Sequence, residues 1–221
     1  MTSWLDIVMV LLFLTDLGLL GSSRLGVYVR LAAVQGVLVG VLPLLVQHTL
    51  ALETVAVAAG TIAVKSVLFP WLMARIMRGF DDRRERQPYL GYTVSLVLGV
   101  LAVGAALWIS RRLPESGAGG LAAHGFLMPA ALFSIFTGLI LLVTRRKAVT
   151  QVLGYLVMEN GIYVAGMVLV PESTFLVELG VLLDLFVGVF LMGIMIFHIQ
   201  REFDHIDTDQ LAALKDWGGE P

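Results

Sequence analysis

Five ionisable side chains lie in or beside long apolar stretches of this sequence: Asp16, Lys65, Glu159, Glu178 and Asp184. A charged group at the centre of a bilayer costs from about 3 to more than 10 kcal/mol, so such residues persist where they face a bundle interior or water. Burial disfavours the charged form of a carboxyl group, whereas a neighbouring ammonium favours it. Proton relays in membranes are built from Glu, Asp, Lys and trapped water. These residue types therefore predict a proton path.

The positions of these residues within their apolar stretches predict three of them at one depth. At 1.5 Å per residue, Lys65 lies about 20 Å from one end of its stretch, and Glu159 and Asp184 lie about 17 Å from the ends of theirs. All three fall near the middle of a hydrocarbon core about 30 Å thick. We expect them to form a lateral row if their helices face one another. Asp16, toward the cytoplasmic end of its helix, and Glu178, nearer the outer surface, lie off this level.

Each of these residues also has a purely structural interpretation. Lys65 would tie two helices together by pairing with a carboxylate, and Asp16 would cap or hydrogen-bond near the end of its helix. Glu159 and Asn160 would serve as polar contacts between helices. The sequence leaves these alternatives open. Pro70, five residues after Lys65, is expected to free a backbone carbonyl near that charge.

Composition identifies the elements that must position these side chains. Of 221 residues, 58% are hydrophobic and 14% are charged, against about 45–50% and 25% in soluble domains. The sequence divides into apolar stretches near the length of about 20 residues that a bilayer requires. We expect an all-α polytopic membrane protein with about seven transmembrane helices, near 4–21, 25–47, 52–76, 89–110, 121–144, 148–170 and 173–199.

The connectors predict a division of the chain into two halves. A Gly-rich connector at 113–120 is expected to join a four-helix half, 1–112, to a three-helix half, 121–200. Residues 201–221 form a polar tail. Within the second predicted helix, Gly36 and Gly40 permit close packing of another helix and indicate no chemistry.

The distribution of basic residues predicts the orientation of the chain. Eleven lie in connectors on one side: Arg24, Arg75, Arg78, Arg83, Arg84, Arg86, Arg145, Arg146, Lys147, Arg201 and Lys215. Only Arg111 and Arg112 lie on the other side. The positive-inside rule then places the N-terminus outside and the C-terminus in the cytoplasm. We expect a multi-pass protein of the cell (inner, cytoplasmic) membrane.

Several classes of function are excluded or disfavoured by what the sequence lacks. It has no cysteine, so this chain offers no thiol ligands for an iron–sulfur cluster. Its four histidines are scattered, which disfavours a metal site, and its net charge of −2 does not indicate a nucleic-acid partner. The sequence also contains no Walker A loop, HExxH or GxSxG motif and no dinucleotide fingerprint. We expect no active site, cofactor or metal in this chain itself.

Four stretches of the sequence resemble a known family: 151–161 (QVLGYLVMENG), 177–184 (VELGVLLD), 64–71 (VKSVLFPW) and 206–215 (IDTDQLAALK). The resemblance is to the hydrogenase-4 component E family, and it extends over nearly the whole chain. Its members are membrane subunits of formate-hydrogenlyase-type and related energy-converting nickel–iron (NiFe) hydrogenase complexes.

The last three predicted helices, 121–200, are similar to the K subunit of respiratory complex I and to the C component of Mrp-type antiporters. In those relatives two membrane glutamates on consecutive helices carry a lateral proton path. The resemblance places Asp184 at the second glutamate, by alignment on Gly188. Leu156 occupies the position of the first, and Glu159 follows three residues later. Either Glu159 substitutes from the same helix face, which we favour, or the path differs here.

The resemblance implies a conduit function in a complex I-like assembly. Redox chemistry would occur in a hydrophilic hydrogenase-like arm, where partner subunits hold the NiFe centre and Fe–S clusters, and antiporter-like subunits would move ions across the bilayer. Lys65, Glu159 and Asp184, with Glu178 and Asp16, would carry protons between them. The chain would then be a non-catalytic subunit of a proton-translocating oxidoreductase. The alternatives are a subunit of a cation/proton antiporter assembly and a purely structural membrane spacer.

Overall fold

The structure, a computed structural model, describes residues 2–46, 52–76, 91–113 and 126–169, together with Gly180, Val187, Gly188 and Gly193. The described residues form helices joined by short turns and include no strand. The helices are α1 (Thr2–Gly21), α2 (Leu25–Val46), α3 (Leu52–Ile62), α4 (Phe69–Ile76), α5 (Tyr92–Ser110), α6 (Leu127–Thr144) and α7 (Ala148–Leu169). A π-helical segment, Ala63–Leu68, joins α3 directly to α4.

The predicted all-helical membrane fold is confirmed for this part of the chain. Five described helices, α1, α2, α5, α6 and α7, are long and apolar enough to cross a membrane. The predicted helix at 52–76 is helical throughout, although the π segment divides it into α3 and α4. The helices predicted at 89–110 and 121–144 begin later, at Tyr92 and Leu127. For α5 the reason is the extended backbone of Gly91, with ψ of 155°.

Other sequence predictions remain predictions. The helix predicted at 173–199 and the tail at 201–221 lie outside the described residues, except for four helical positions in the former. Most of the connector at 113–120 also lies outside them. The total of seven helices, the two-half division and the orientation of the termini therefore stay predictions.

Large apolar side chains cover the outer surface of the described helices. On α5, for example, Val97, Val100 and Leu101 are exposed. A protein with this outer surface requires a lipid environment. Near the C-terminal end of α5 the Arg112 guanidinium lies 4.5 Å from the ring centre of Trp108, and near the C-terminal end of α4 that of Arg75 lies 5.8 Å from the ring centre of Trp71. Trp and Arg anchors of this kind are typical of a membrane interface.

Glycines bring α6 and α7 into backbone contact. A Cβ atom added at Gly161 would lie 2.6 Å from the carbonyl oxygen of Ala131, and one at Gly154 would lie 2.9 Å from that of Gly138. The two α7 glycines thus face two small α6 residues at the same spacing along each helix. Small residues of this kind allow membrane helices to approach closely. Because any larger side chain would separate these backbones, the packing fixes the position of Glu159 and Asn160, which lie between the two α7 glycines.

A second close contact joins α2 to the helix at 52–76. A Cβ atom added at Gly36 would lie 2.9 Å from Cβ of Lys65 and 2.8 Å from Oγ of Ser66. One turn later, a Cβ at Gly40 would meet the Ile62 side chain. The close packing predicted from these two glycines is therefore confirmed, and it brings α2 against the segment that carries Lys65.

Arg145 ties together two helix ends. Its side chain is fully buried, and Nη2 donates a hydrogen bond to the carbonyl oxygen of Leu20 at 3.1 Å. Carbonyl groups in the last turn of a helix lack helical partners, and a basic side chain satisfies them well. Counting Arg145 among the basic connector residues did not reveal this structural role. The contact also shows that the C-terminal ends of α1 and α6 lie at the same end of the bundle.

Candidate functional site

Lys65 and Glu159 form a buried ion pair between the π segment and α7. Lys65 Nζ lies 2.6 Å from Glu159 Oε1, and the two side chains are only 5% and 1% exposed. The same ammonium donates a second hydrogen bond to Oδ1 of Asn160 at 3.1 Å. It also lies 5.8 Å from the ring centre of Tyr163. The structure thus brings together Lys65 and Glu159, two of the three residues of the expected row, and Asn160 and Tyr163 complete their surroundings.

The π segment that carries Lys65 ends at Leu68, two residues before Pro70. The Phe69 amide donates to the carbonyl oxygen of Val64, five residues back, which is the π-helical pattern. Pro70, the next residue, has no N–H and cannot continue either hydrogen-bond ladder. Short π segments within α-helices occur frequently at functional sites. Lys65 therefore lies where the helix departs from regular α geometry, next to Gly36 of α2 and Glu159 of α7.

A small cavity adjoins the ion pair. Its volume is about 10 Å³, and it is lined by Ala32, Lys65, Phe69, Pro70, Leu153, Leu156 and Asn160. This volume is close to the least that holds one water molecule, provided that polar groups line the space. Lys65 and Asn160 supply the polar lining. A water here would contact Lys65, the cationic member of the pair.

A second polar cluster is built around Asp16, which is fully buried. Gln35 of α2 donates from Nε2 to one carboxyl oxygen at 2.6 Å, and Ser134 of α6 donates from Oγ to the other, also at 2.6 Å. The Asp16 carboxyl group thus joins α1, α2 and α6. The structural interpretation of Asp16 included a hydrogen-bonding role, and the structure shows such bonds, made here to two other helices.

The two clusters differ in charge. In the first, a carboxylate faces an ammonium, so the pair is neutral as a unit. In the second, both donors to Asp16 are uncharged. The sequence interpretation did not identify Gln35 or Ser134. Their signal, a polar side chain in an apolar helix, is present in the sequence but weaker than a formal charge.

Of the five residues proposed for the proton path, the structure describes three. It brings Lys65 and Glu159 together and places Asp16 in the separate cluster with Gln35 and Ser134. Glu178 and Asp184 lie outside the described residues. The assignment of all five to a proton path stays a prediction.

Comparison with known proteins decides the family. Hydrogenase-4 component E of Escherichia coli is 26% identical to this chain over 158 residues, which is 72% of each protein. An uncharacterized protein of Mycobacterium tuberculosis is 30% identical over 192 residues, 85% of each protein. The chain belongs to the hydrogenase-4 component E family. The resemblance to hydrogenase-4 component E found in the sequence is thereby confirmed, and the likeness of residues 121–200 to the complex I K subunit and the Mrp C component stays a prediction. No family model matches the chain, and no solved structure is significantly similar to it.

Proposed function

We propose that this component E homologue is a membrane subunit of a complex I-like hydrogenase assembly, and that its Lys65–Glu159 pair is the centre of a lateral proton path. Asp184, Glu178 and Asp16 are further members of that path. The path couples redox chemistry in partner subunits to ion translocation. The observation that carries the proposal is the 2.6 Å contact between Lys65 Nζ and Glu159 Oε1, buried within the bundle.

A buried ion pair is poorly explained by stability alone. Removing two charges from water costs several kcal/mol per ion, and well-packed apolar residues often stabilise the same position equally well or better. The pair is instead suited to moving a proton. When Glu159 takes up a proton, it loses its attraction to Lys65, which keeps its positive charge. That charge then favours release of this proton from Glu159 toward another carboxylate.

The cavity supports the substitution of Glu159 for the glutamate expected at position 156. Leu156 lines the cavity together with Lys65 and Asn160. Glu159 contacts the same ammonium from one helical turn further along α7. A carboxylate at either position would therefore lie close to the same lysine and to the same cavity.

The described part of the last predicted helix supports a continuation of the path. A Cβ atom added at Gly180 would lie 3.7 Å from the Tyr163 ring. Tyr163 in turn lies beside Lys65. Gly180 precedes Asp184 by four residues in the sequence. This neighbourhood agrees with a lateral row of Lys65, Glu159 and Asp184.

The proposal also names the partners. Other membrane subunits, including antiporter-like ones, would adjoin this chain in the cell membrane, and a hydrophilic arm would hold the NiFe centre and the Fe–S clusters. Purification of the complex with identification of its subunits tests this arrangement. A set of antiporter subunits without a redox arm would instead identify a cation/proton antiporter assembly.

The proton path is tested by Lys65→Met and Glu159→Gln in the assembled complex, reconstituted in lipid vesicles. We expect both variants to lose most of the proton translocation per redox turnover, because each removes one half of the pair. Asp6→Asn is the matched control, since Asp6 is an exposed carboxylate on α1. Normal translocation in both variants, with the complex intact, would contradict the proposal and leave a structural spacer.

A further inference from the structure

Consecutive residues of α2 contact the two buried polar clusters. Gln35 donates from Nε2 to Oδ1 of Asp16 at 2.6 Å. Gly36, the next residue, lies against the π segment, because a Cβ atom there would be 2.9 Å from Cβ of Lys65. The same Cβ would be 2.8 Å from Oγ of Ser66. Any link between the Asp16 cluster and the Lys65–Glu159 pair therefore has a short route through this part of α2.

Two polar atoms along this route are buried and lack a partner within the described part of the chain: Oε1 of Gln35 and Oγ of Ser66. Buried polar atoms in proteins are nearly always satisfied, by protein groups or by ordered water. Gln35 adjoins Gly36, and Gly36 contacts Ser66. Ordered water would satisfy each of the two polar atoms, and a molecule shared by the two would link Gln35, which holds Asp16, to Ser66, the neighbour of Lys65 in the sequence.

We propose that Gln35 is a positioning residue that couples Asp16 to the Lys65–Glu159 pair through water held between Gln35 Oε1 and Ser66 Oγ. Asp16 is then a second proton-binding carboxyl group whose occupancy depends on the first. This inference rests on the proposed function, which already includes Asp16 in the path, and adds to it the dependence of Asp16 on the Lys65–Glu159 pair and the residue that connects the two.

The carboxamide of Gln35 suits this role, because it donates from one end and accepts at the other. An ionised Asp16 accepts from Nε2, as observed. A protonated Asp16 has a hydroxyl group to donate, and the amide satisfies it by turning Oε1 toward it. The NH₂ group of Gln35 then faces the bridging water, which the acceptor Oε1 faced before. Gain of one proton at Asp16 thus reverses the polarity of the water link to Ser66 and its neighbour Lys65.

The test is infrared titration of the carboxyl C=O bands in the assembled complex in lipid. The bands of Asp16 and Glu159 are assigned by their loss in Asp16→Asn and Glu159→Gln. Lys65→Met is then introduced, and we expect the pH midpoints of both bands to move, by about one pH unit, the scale of coupled sites. In Gln35→Met, which keeps the length of the side chain without its amide, the midpoint of Asp16 should no longer respond to Lys65→Met.

A second variant and a matched control make the test specific. Ser66→Ala removes the other end of the water link without touching Asp16, and it should abolish the response of Asp16 in the same way. Gln151→Met is the control, because Gln151 donates to the carbonyl oxygen of Arg145, in the connector between α6 and α7. The response of Asp16 should persist in this control, which loses a glutamine hydrogen bond elsewhere.

The outcomes separate this inference from the proposed function. A response of the Glu159 band to Lys65→Met with none at Asp16 would overturn the coupling and leave the Lys65–Glu159 path intact. A response of Asp16 that survives Gln35→Met and Ser66→Ala would also overturn it, since the coupling would then act through space. Failure of the Glu159 band itself to respond would count against the proposed function as well.

Discussion

The Lys65–Glu159 pair and the Asp16 cluster solve the same problem, a carboxyl group inside a membrane bundle, in two different ways. Glu159 faces a cation, beside a small cavity and a π segment. Among the described residues, Asp16 accepts from the uncharged donors Gln35 and Ser134, and the three helices of this cluster are α-helical there. The first arrangement neutralises a charge with another charge, whereas the second surrounds the carboxyl group with dipoles.

The difference predicts different behaviour. An ion pair changes sharply when either member gains or loses a proton, because the attraction between two unit charges in a medium of low dielectric constant is large. A carboxyl group held by dipoles changes less, because an amide and a hydroxyl group reorient to donate or to accept. We therefore expect the Lys65–Glu159 pair to govern proton transfer and the Asp16 cluster to adjust to it.

The largest expected effect tests whether the position or the charge of Glu159 matters. Glu159→Leu should lower proton translocation by about a hundredfold, the scale for removal of a positioned acid–base group. The double variant Leu156→Glu/Glu159→Leu should recover most of it, because Leu156 lines the cavity beside Lys65. The measurement is proton translocation per redox turnover in vesicles.

Two control variants test whether the recovery requires a carboxyl group beside Lys65. Leu156→Glu alone adds a second carboxyl group beside one ammonium and should not raise translocation. An Asp16→Asn/Leu12→Asp double variant moves the other carboxyl group by one turn on α1, away from Gln35 and Ser134. It should fail to recover function, because the donors do not move with it. Equal recovery in both exchanges would remove the distinction between the two clusters.

The two clusters also differ in how far the sequence revealed them. Lys65 and Glu159 stand out as formal charges in apolar stretches, and the constant rise of a helix places them at one depth. Gln35 and Ser134 do not stand out, since uncharged polar residues are tolerated inside membrane bundles. Which side chains meet depends on helix rotation, and the described helices are apolar on nearly every side, so periodicity does not reveal their inner faces.

The π segment and the buried Arg145 side chain likewise show what the sequence alone did not reveal. Pro70 indicated a disturbed helix near Lys65, but it did not predict a six-residue π segment at Ala63–Leu68. Arg145 lies in a short basic connector, and only the folded chain shows that its side chain is buried against the end of α1. Helix positions followed from hydropathy, whereas contacts between helices required the structure.

A smaller effect on function is expected from a methyl group added between α2 and the π segment. Gly36→Ala places a methyl group 2.8 Å from Ser66 Oγ and 2.9 Å from Lys65 Cβ. Such overpacking costs about 1–3 kcal/mol, so thermal stability in detergent should fall and α2 should move away from the π segment. The coupling between the Asp16 and Glu159 carboxyl bands should weaken at the same time.

Gly104→Ala is the matched control for this added methyl group. A Cβ atom at Gly104, within α5, would meet nothing within 4 Å. Alanine there should stabilise the helix by about 0.5–1 kcal/mol and leave the coupling unchanged. If Gly36→Ala behaves like Gly104→Ala, α2 is not tightly held against the segment that carries Lys65.

The smallest expected effect compares two buried serines. Ser134 donates to Asp16, so Ser134→Ala removes one of the two hydrogen bonds that described residues make to that carboxyl group. Ser95, on α5, is equally buried, and its hydroxyl group has no partner among the described residues. Hydrogen bonds between membrane helices contribute about 1 kcal/mol. Ser134→Ala should therefore lower the unfolding free energy by about that amount, whereas Ser95→Ala should leave it unchanged or raise it slightly. Equal losses in the two variants, measured by unfolding in detergent, would mean that Asp16 is held by Gln35 alone and that the cluster does not depend on α6.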